Sequence, residues 1–139
     1  MSRSQRGYSK PLPEIRPETE EFWKATKKHI LLIQRCKDCE KLIYYPRVAC
    51  PRCLSSNIQW IKSSGRGIVY SYTIIHRAGD KAFDKDIPYA YAIIELDEGV
   101  RMISNLINTA HNKITIGMKV KVIFEDVSSD ISLPKFEPV

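Results

Sequence analysis

The sequence predicts a mainly β protein that begins with a helical segment and carries a small metal-binding unit. Three observations predict it. All four cysteines of the 139-residue chain lie between positions 36 and 53. Runs rich in β-branched and aromatic residues follow one another from residue 67 to the end. One segment ahead of the cysteines spaces its apolar residues as a helix does.

The overall composition is that of a folded globule. Hydrophobic residues make up 43% of the chain, which is too many for a disordered protein. No apolar run approaches the roughly 20 residues that a membrane span needs. The N-terminus has basic residues with no apolar run behind them, unlike a secretory signal. We therefore expect a cytoplasmic protein with one ordinary core and a small module.

Positive charge is concentrated in the first part of the chain. The net charge is +6, and the first 60 residues carry twelve basic and six acidic side chains. Residues 61–139 carry ten of each and are neutral. A basic region favours anionic partners such as nucleic acid or phosphate-bearing ligands. A solubilising surface accounts for so modest a charge equally well.

The segment PETEEFWKATKKHI, residues 17–30, predicts the helix. Pro17 suits a first helical turn, and the glutamates before the lysines complement the helix dipole. Phe22 and Trp23 supply an apolar face. Two interpretations follow: the helix docks on the body of the protein through these rings, or it covers a partner or ligand.

The cysteines form two CxxC knuckles separated by ten residues. Two such knuckles facing each other make a closed tetrahedral site of four sulfur ligands, the structural form of zinc binding. The predicted zinc ligands are Cys36, Cys39, Cys50 and Cys53. Because sulfur fills all four positions, no position is left for a catalytic water. The sequence therefore predicts one structural zinc ion in a rubredoxin-like zinc ribbon.

Two other uses of the cysteines compete with zinc. Disulfides are disfavoured in a cytoplasmic protein, which lives under reducing conditions. A redox CxxC normally begins a helix in a thioredoxin-like setting, and neither motif has that context here. Both interpretations are weaker than a metal site.

The second half of the chain predicts five strands. The strand segments are GIVYSYTIIHR, YAYAIIEL, VRMISNLI, MKVKVIFE and ISLPKF, with a hairpin turn at Asp97-Glu98-Gly99 between the second and third. Five strands in this length suit a small closed barrel, and the OB-fold has five. A small β-sandwich is the main competitor. In the second strand tyrosines alternate with alanines, so we expect both faces to be covered and the aromatic residues to lie mostly in the core.

These segments divide the chain into three predicted units. Residues 1–33 form an N-terminal tail, extended up to residue 16, and the amphipathic helix. Residues 34–62 form the zinc ribbon, and beyond the second knuckle the segment NIQWIKSSGRG leads out of the module. Residues 63–139 form the OB-fold barrel.

The order of these motifs resembles that of a known family. The order is a helix, CxxC, a Tyr-Pro-Arg element, CPxC, a tryptophan, a GxG that enters VYSYT, and finally LPKFEP. This order is similar to that of the zinc-ribbon/OB-fold proteins associated with acyl-CoA enzymes in archaea and bacteria. The resemblance runs from about Pro17 onward, and its most specific pieces are YYPRVACPRC and GRGIVYSYTIIHR. Many members have two prolines before the arginine, where this chain has only Pro46.

The resemblance implies an auxiliary role. Such proteins are partners of thiolases, hydroxymethylglutaryl-CoA synthases or acyl-CoA hydratases, and bridge enzymes or help to hold the CoA-linked substrate. It therefore predicts a non-catalytic acyl-CoA-binding or bridging subunit. The basic first half is compatible with the phosphates of CoA. The candidate CoA contacts are Arg47, Arg52, Arg77, Lys81 and Phe83, and an exposed charge is the alternative interpretation for the four basic residues.

No catalytic constellation is visible in the sequence. GxSxG, GxxxxGK[ST], GxGxxG and HExxH are absent, and the three histidines are isolated from one another. Three aspartates in AGDKAFDKDIP alternate with lysines, as in a solvated loop. We therefore expect an accessory subunit and not an independent enzyme.

The main competing function is a nucleic-acid-binding zinc-ribbon/OB-fold module. Both folds serve that purpose, and the chain is basic. Against it, the barrel half is neutral, whereas a groove that follows a phosphate backbone is basic and exposes aromatic rings for stacking.

Overall fold

The computed structural model describes residues 10–139, so the first nine residues of the predicted tail lie outside it. One α-helix and eight strands occur in this part of the chain. They are α1 (Glu20–Lys27), β1 (Leu32–Cys36), β2 (Leu42–Ile43), β3 (Ile58–Lys62), β4 (Arg66–Ile75), β5 (Tyr89–Leu96), β6 (Arg101–Leu106), β7 (Lys119–Asp126) and β8 (Ser132–Pro138). The predicted class, mainly β with an N-terminal helix, is confirmed. Within these residues no helix has the length and apolarity needed to cross a membrane.

Helix α1 is shorter than the predicted residues 17–30. A turn precedes it, in which the Thr19 amide donates to the Arg16 carbonyl at 3.0 Å. After the helix, His29 has a φ of 59°, in the left-handed region. A residue in this conformation stops the helical path of the chain. Both ends are therefore set by local turns that the apolar spacing does not reveal.

The helix docks on the body of the protein through a buried face. Phe22 is buried, and its ring lies edge-on to Trp23 at 4.9 Å and to Tyr44 of the ribbon at 5.7 Å. The buried Thr26 hydroxyl accepts a hydrogen bond from the Ser132 amide of β8 at 3.3 Å. The helix therefore joins the ribbon to the barrel, as the docking interpretation predicted.

The ribbon is a three-stranded antiparallel sheet in the order β2-β1-β3. Strand β3 pairs with β1 along its whole length, from Leu32↔Lys62 to Cys36↔Ile58. The expectation that NIQWIKSSGRG leads out of the module is therefore wrong for Ile58–Lys62, because these residues supply the third strand. The division of the chain after residues 33 and 62 stays a prediction.

The barrel is closed in the order β4-β5-β6-β8-β7, which confirms the five-stranded prediction and excludes the sandwich. The β5–β6 hairpin turns at Gly99, which has a φ of 101°. Strands β6 and β8 pair at one position only, Leu106↔Phe136. Beside it, Pro134 has no N–H to donate to a ladder, and its carbonyl instead accepts a hydrogen bond from the Ser104 hydroxyl at 2.8 Å. The two strands consequently diverge into a seam.

The barrel interior contains small and aliphatic residues where tyrosines were expected. Ala90, Ala92 and Ile94 of β5 are fully buried, while Tyr91 between them is 41% exposed. On β4, Tyr70 is 43% exposed. The prediction that the aromatic residues lie mostly in the core is wrong for these two rings. A five-stranded barrel is narrow, so on β5 the alternating alanines face inward and the tyrosine rings face outward.

A hydrogen-bonded linker fixes the ribbon on the barrel. The carboxylate of Glu98, in the β5–β6 turn, accepts hydrogen bonds from the Ser63 hydroxyl and the Ser64 amide, both at 2.8 Å. Burial opposes ionisation of Glu98, but these donors outweigh it and hold its pKa below the ordinary value. Gly67 follows, and a side chain there would collide with the backbone oxygen of Glu95.

Candidate metal centre and ligand groove

The four cysteines form a compact cluster of the size that a metal ion needs. Their sulfur atoms all lie within 4.8 Å of one another. The Cys36–Cys53 and Cys39–Cys50 sulfur pairs are both 3.5 Å apart. A tetrahedral zinc site with bonds of ~2.3 Å places its sulfurs about 3.8 Å apart, whereas a disulfide needs ~2.05 Å. The donor set therefore fits a zinc ion and not a pair of disulfides.

The two knuckles have the same backbone geometry. The Glu40 amide donates to the Cys36 carbonyl at 2.9 Å, and the Leu54 amide donates to the Cys50 carbonyl at 2.8 Å. Glu40 and Leu54 both have a φ of 64°. Each knuckle is thus a tight turn closed by a residue in the left-handed conformation, which points two sulfurs the same way.

A metal requires thiolates, and the surroundings of the cluster favour that form at Cys39 but not at Cys53. At Cys53 a backbone hydrogen bond from Ser55 lowers the pKa, but burial and hydrogen bonds with the other three cysteines raise it to about 12. A backbone hydrogen bond from Lys41 is the largest influence that lowers the pKa of Cys39, to about 6. The Arg52 guanidinium donates to the Cys39 carbonyl at 2.6 Å, and its own pKa is raised by this cysteine. Arg52 therefore lies against the first knuckle, although it belongs to the second.

Two adjoining clefts lie over the outer face of the barrel. The larger has a volume of about 420 Å³ and the smaller about 260 Å³. The larger is lined by Lys10, Phe83, Asp86, Tyr89, Tyr91, Asn105, Leu106, Ile107, Leu133 and Lys135. The smaller is lined by Trp23, Tyr44, Tyr91, Ile103, Ser104, Asn105, Leu133, Pro134 and Lys135. Because they share four residues, we treat them as one junction groove along the β6–β8 seam.

The junction groove combines apolar walls with a few polar groups. Trp23 comes from the helix, Tyr44 from the ribbon and Tyr91 from the barrel, so all three parts of the protein contribute. Burial raises the pKa of Tyr44. The two lysines are paired with carboxylates, Lys10 with Asp86 and Lys135 with Glu125. The groove is therefore largely apolar and close to neutral.

The structure separates the five predicted CoA contacts. Phe83 lines the junction groove. Arg77 and Lys81 are exposed in the loop that carries Phe83, and they do not line the groove. Arg47 and Arg52 are exposed beside the second knuckle. Their contacts with CoA stay predictions.

Most of the residues that line the junction groove are not recognisable from the sequence. Tyr44, Tyr91 and Lys135 are far apart in the chain, and only the closed barrel brings them together. One sequence pattern could have indicated that Tyr91 lies on the outer face: the tyrosines of β5 alternate with alanines. In a narrow barrel this alternation assigns the tyrosines to the outer face.

The histidine and aspartates considered for catalysis have structural neighbours. His29 Nε2 lies 3.2 Å from Asp126 Oδ1, and its ring stacks on Phe124 at 5.2 Å. The Asp80 carboxylate accepts a hydrogen bond from the Ala82 amide at 2.8 Å and caps the 3-10 turn Lys81–Phe83. These contacts hold a helix end and a loop in place.

Comparison with known families matches both parts of the fold. Residues 23–59 match the family described as "ChsH2, rubredoxin-like zinc ribbon domain". Residues 60–125 match "ChsH2, C-terminal OB-fold domain". A solved structure described as "Ltp2-ChsH2(DUF35) aldolase" superposes with a TM-score of 0.80 at 36% identity, and the match covers 91% of this chain and 98% of that one.

Two curated relatives illustrate the range of protein contexts. A "DUF35 domain-containing scaffold protein" of Methanocaldococcus jannaschii is 37% identical over 110 residues, which is 78% of this chain and 77% of the relative. A "Probable enoyl-CoA hydratase alpha subunit" of Thermomonospora curvata is 36% identical over 129 residues. That match covers 93% of this chain but 40% of the relative, so this chain spans less than half of that protein.

Proposed function

This chain belongs to the DUF35 family of ChsH2-type zinc-ribbon and OB-fold proteins, and from this premise we propose that it is a non-catalytic accessory subunit of an acyl-CoA-metabolising enzyme. The names of the relatives support this role: one is a scaffold protein, one is a hydratase subunit, and one belongs to a solved structure described as an aldolase. In this role the chain binds an acyl-CoA, bridges its partner enzymes, or does both.

The junction groove is the observation that carries acyl-CoA binding. Ligand sites are mostly apolar clefts of about 300–1,000 Å³ with a few polar groups, and they often lie where domains meet. The apolar, near-neutral groove suits the acyl chain and pantetheine of a CoA ester better than its phosphates. Phe83, one of the five predicted contacts, lines it. Arg77 and Lys81, in the same loop as Phe83, are the proposed phosphate contacts at that end.

Calorimetric titration with acetyl-CoA and octanoyl-CoA tests whether the junction groove binds an acyl-CoA ester. Binding is expected, and Tyr91→Ala is expected to weaken it about tenfold, since a lost aromatic contact costs on the order of 1–2 kcal/mol. Tyr70→Ala is the matched control, because Tyr70 is as exposed as Tyr91 but lines neither cleft. Equal affinities for both variants would contradict the assignment, as would the absence of binding to either ester.

The ion in the four-cysteine cluster is proposed to be zinc, in a structural role. Sulfur-only tetrahedral sites of this size are typical of zinc, and four protein ligands leave no open position for chemistry. Elemental analysis of protein purified without added metal is expected to give one zinc per chain. A metal-free protein with a folded ribbon would contradict this.

Nucleic-acid binding is a second candidate, favoured by one observation. Tyr91 is exposed on the face of the second and third barrel strands, the face that OB-folds use for oligonucleotides. Stacking on such a ring is worth ~1–3 kcal/mol per base. Retention on single-stranded DNA that weakens with salt and depends on Tyr91 would establish this function in place of the first.

A further inference from the structure

The outer end of the ribbon exposes large apolar side chains. Val48 is 75% exposed and Leu54 78% exposed, and Tyr45 is 51% exposed beside them in sequence. Val48 lies two residues before Cys50, and the Leu54 amide bonds to the Cys50 carbonyl. We call Val48, Leu54 and the neighbouring Arg47 the ribbon tip. Val48 and Leu54 therefore both flank the proposed metal ligand Cys50, and large exposed apolar side chains grouped in this way are typical of a protein-interaction surface.

Leu54 is unfavourable where it stands if folding alone is considered. Its φ of 64° is in the left-handed region, where a side chain is disfavoured and glycine is the preferred residue. Its side chain also buries little surface within the described chain. A glycine would relieve the backbone and remove an apolar group from water. The leucine therefore has a use other than folding the knuckle.

The ribbon tip is held rigidly and carries unpaired positive charge. The buried Gln34 side chain accepts a hydrogen bond from the Arg47 amide at 2.8 Å and donates one to the Arg47 carbonyl at 3.2 Å. The Arg47 guanidinium is exposed and has no partner within residues 10–139. Residues 34–62 contain six basic and two acidic side chains, and four thiolates around a zinc dication would add a charge of −2, which leaves the ribbon positive at +2. A preformed apolar surface beside a free guanidinium lowers the entropy cost of docking.

We propose that the ribbon tip docks on the catalytic acyl-CoA enzyme, in an apolar depression rimmed by carboxylates. Val48 and Leu54 are the anchors, and Arg47 pairs with an acidic residue at the rim. This inference rests on the proposed function, since the enzyme is the partner named there. In this proposal Arg47 contacts the partner protein, whereas the sequence analysis predicted that it contacts CoA.

The positive charge on the ribbon favours an enzyme with an acidic rim over a second copy of this chain or a nucleic acid as the partner. A two-fold contact with a second copy of the chain would bring the same basic surface on each copy together, and like charges repel. A nucleic acid would use the arginine, but aliphatic valine and leucine side chains offer its bases no stacking surface. A protein with an acidic rim and an apolar centre satisfies both the charge and the apolar groups.

The symmetry of the two knuckles supplies a matched pair of variants. Leu54→Gly removes the anchor and relieves its backbone, so the thermal midpoint is expected to stay the same or rise. Glu40→Gly makes the same backbone change in the first knuckle and removes an exposed ion pair with Arg35, but it removes no apolar surface. The tagged zinc-bound full chain is first used to capture proteins from native extract, and an acyl-CoA enzyme is identified by mass spectrometry and purified. Its affinity for each variant is then measured by biolayer interferometry.

Leu54→Gly is expected to weaken binding of that enzyme about ten- to a hundredfold, the effect of losing one buried leucine. Glu40→Gly is expected to change it less than threefold. Arg47→Glu is expected to weaken it as well, because the variant places a negative charge opposite the acidic rim. Unchanged binding of the enzyme by Leu54→Gly would overturn the ribbon-tip inference alone. If the wild-type chain captures no acyl-CoA enzyme, the bridging function falls, and the inference falls with it.

Discussion

The zinc ribbon and the barrel are both small β structures, but they are stabilised in different ways. The barrel supplies most of the hydrophobic core, and its fully buried members are Val69, Ala90, Ala92, Ile94, Val120 and Phe136. Phe22 of the helix and Ile33 of the ribbon pack into the same cluster. In the ribbon, two of the few buried side chains, Cys36 and Cys50, are the proposed metal ligands. A three-stranded sheet of this size cannot hold itself together by burial alone.

The barrel and the ribbon also carry different proposed functions, ligand binding and partner docking, and we call this the division of work. The barrel is neutral, and it supplies most of the junction groove. The ribbon is basic, carries the proposed zinc site, and exposes the ribbon tip. The proposed ligand site thus lies mostly on the barrel and the proposed docking surface on the ribbon, and variants of Leu54 and Tyr91 are expected to affect one function each.

The largest effect is expected from removing the metal. Chelation, or Cys50→Ser, is expected to unfold the ribbon while the barrel strands stay protected from hydrogen exchange. Structural zinc contributes on the order of 10–16 kcal/mol of apparent binding free energy to small modules. The two tryptophans of the chain, Trp23 and Trp60, lie in the helix and in β3, so their fluorescence reports on the ribbon side. Simultaneous loss of barrel protection would show that the two regions are one cooperative unit.

A smaller effect is expected from opening the barrel core. Phe136→Ala removes a fully buried ring at the β6–β8 seam and is expected to cost about 3–5 kcal/mol. Urea unfolding followed by hydrogen exchange in β5 measures it. Zinc content is expected to remain one per chain at low urea, because the metal site is in the other region. Loss of zinc in the native variant would argue against separate stabilisation.

A still smaller effect is expected from loosening the linker between the regions. Glu98→Gln keeps the size of the side chain but weakens two charge-assisted hydrogen bonds to Ser63 and Ser64, at a cost of roughly 1–2 kcal/mol. The variant is expected to increase the amide exchange of the linker and leave both cores unchanged. An unchanged exchange rate at residues 63–65 would show that the linker is held by other contacts.

The smallest effect concerns pH. Hydrogen bonds from Ser132 and then His29, with Lys27 adding its charge, lower the pKa of Asp126 from 3.8 to about 2. A lowered pKa in the folded state stabilises the protein above pH 3.8, and this contribution is lost as the pH falls toward 2. Asp126→Asn is therefore expected to lower the thermal midpoint slightly at pH 7 and to match the wild type near pH 2. An equal difference at both pH values would exclude this linkage.

The sequence predicted those features that depend on neighbouring residues and missed those that depend on contacts between distant parts of the chain. The cysteine spacing predicted the metal cluster because the ligands are local, and the strand patterns of the barrel are strong enough to be recognised singly. Strand β3 was missed because NIQWIK becomes a strand by pairing with β1, which lies in an earlier part of the chain. The junction groove was missed because Tyr44, Tyr91 and Lys135 meet only after the barrel closes. The exposure of Leu54 depends on the turn after the second knuckle, which spacing does not describe.

The most direct test of the division of work is one comparison of two variants against the purified acyl-CoA enzyme and octanoyl-CoA. Leu54→Gly is expected to lose affinity for the enzyme and keep its affinity for the ester. Tyr91→Ala is expected to lose affinity for the ester and still bind the enzyme. If each variant lowered the affinities for the enzyme and for the ester to the same extent, or lowered neither, the ribbon and the barrel would not have separate roles. That result would contradict the proposed division.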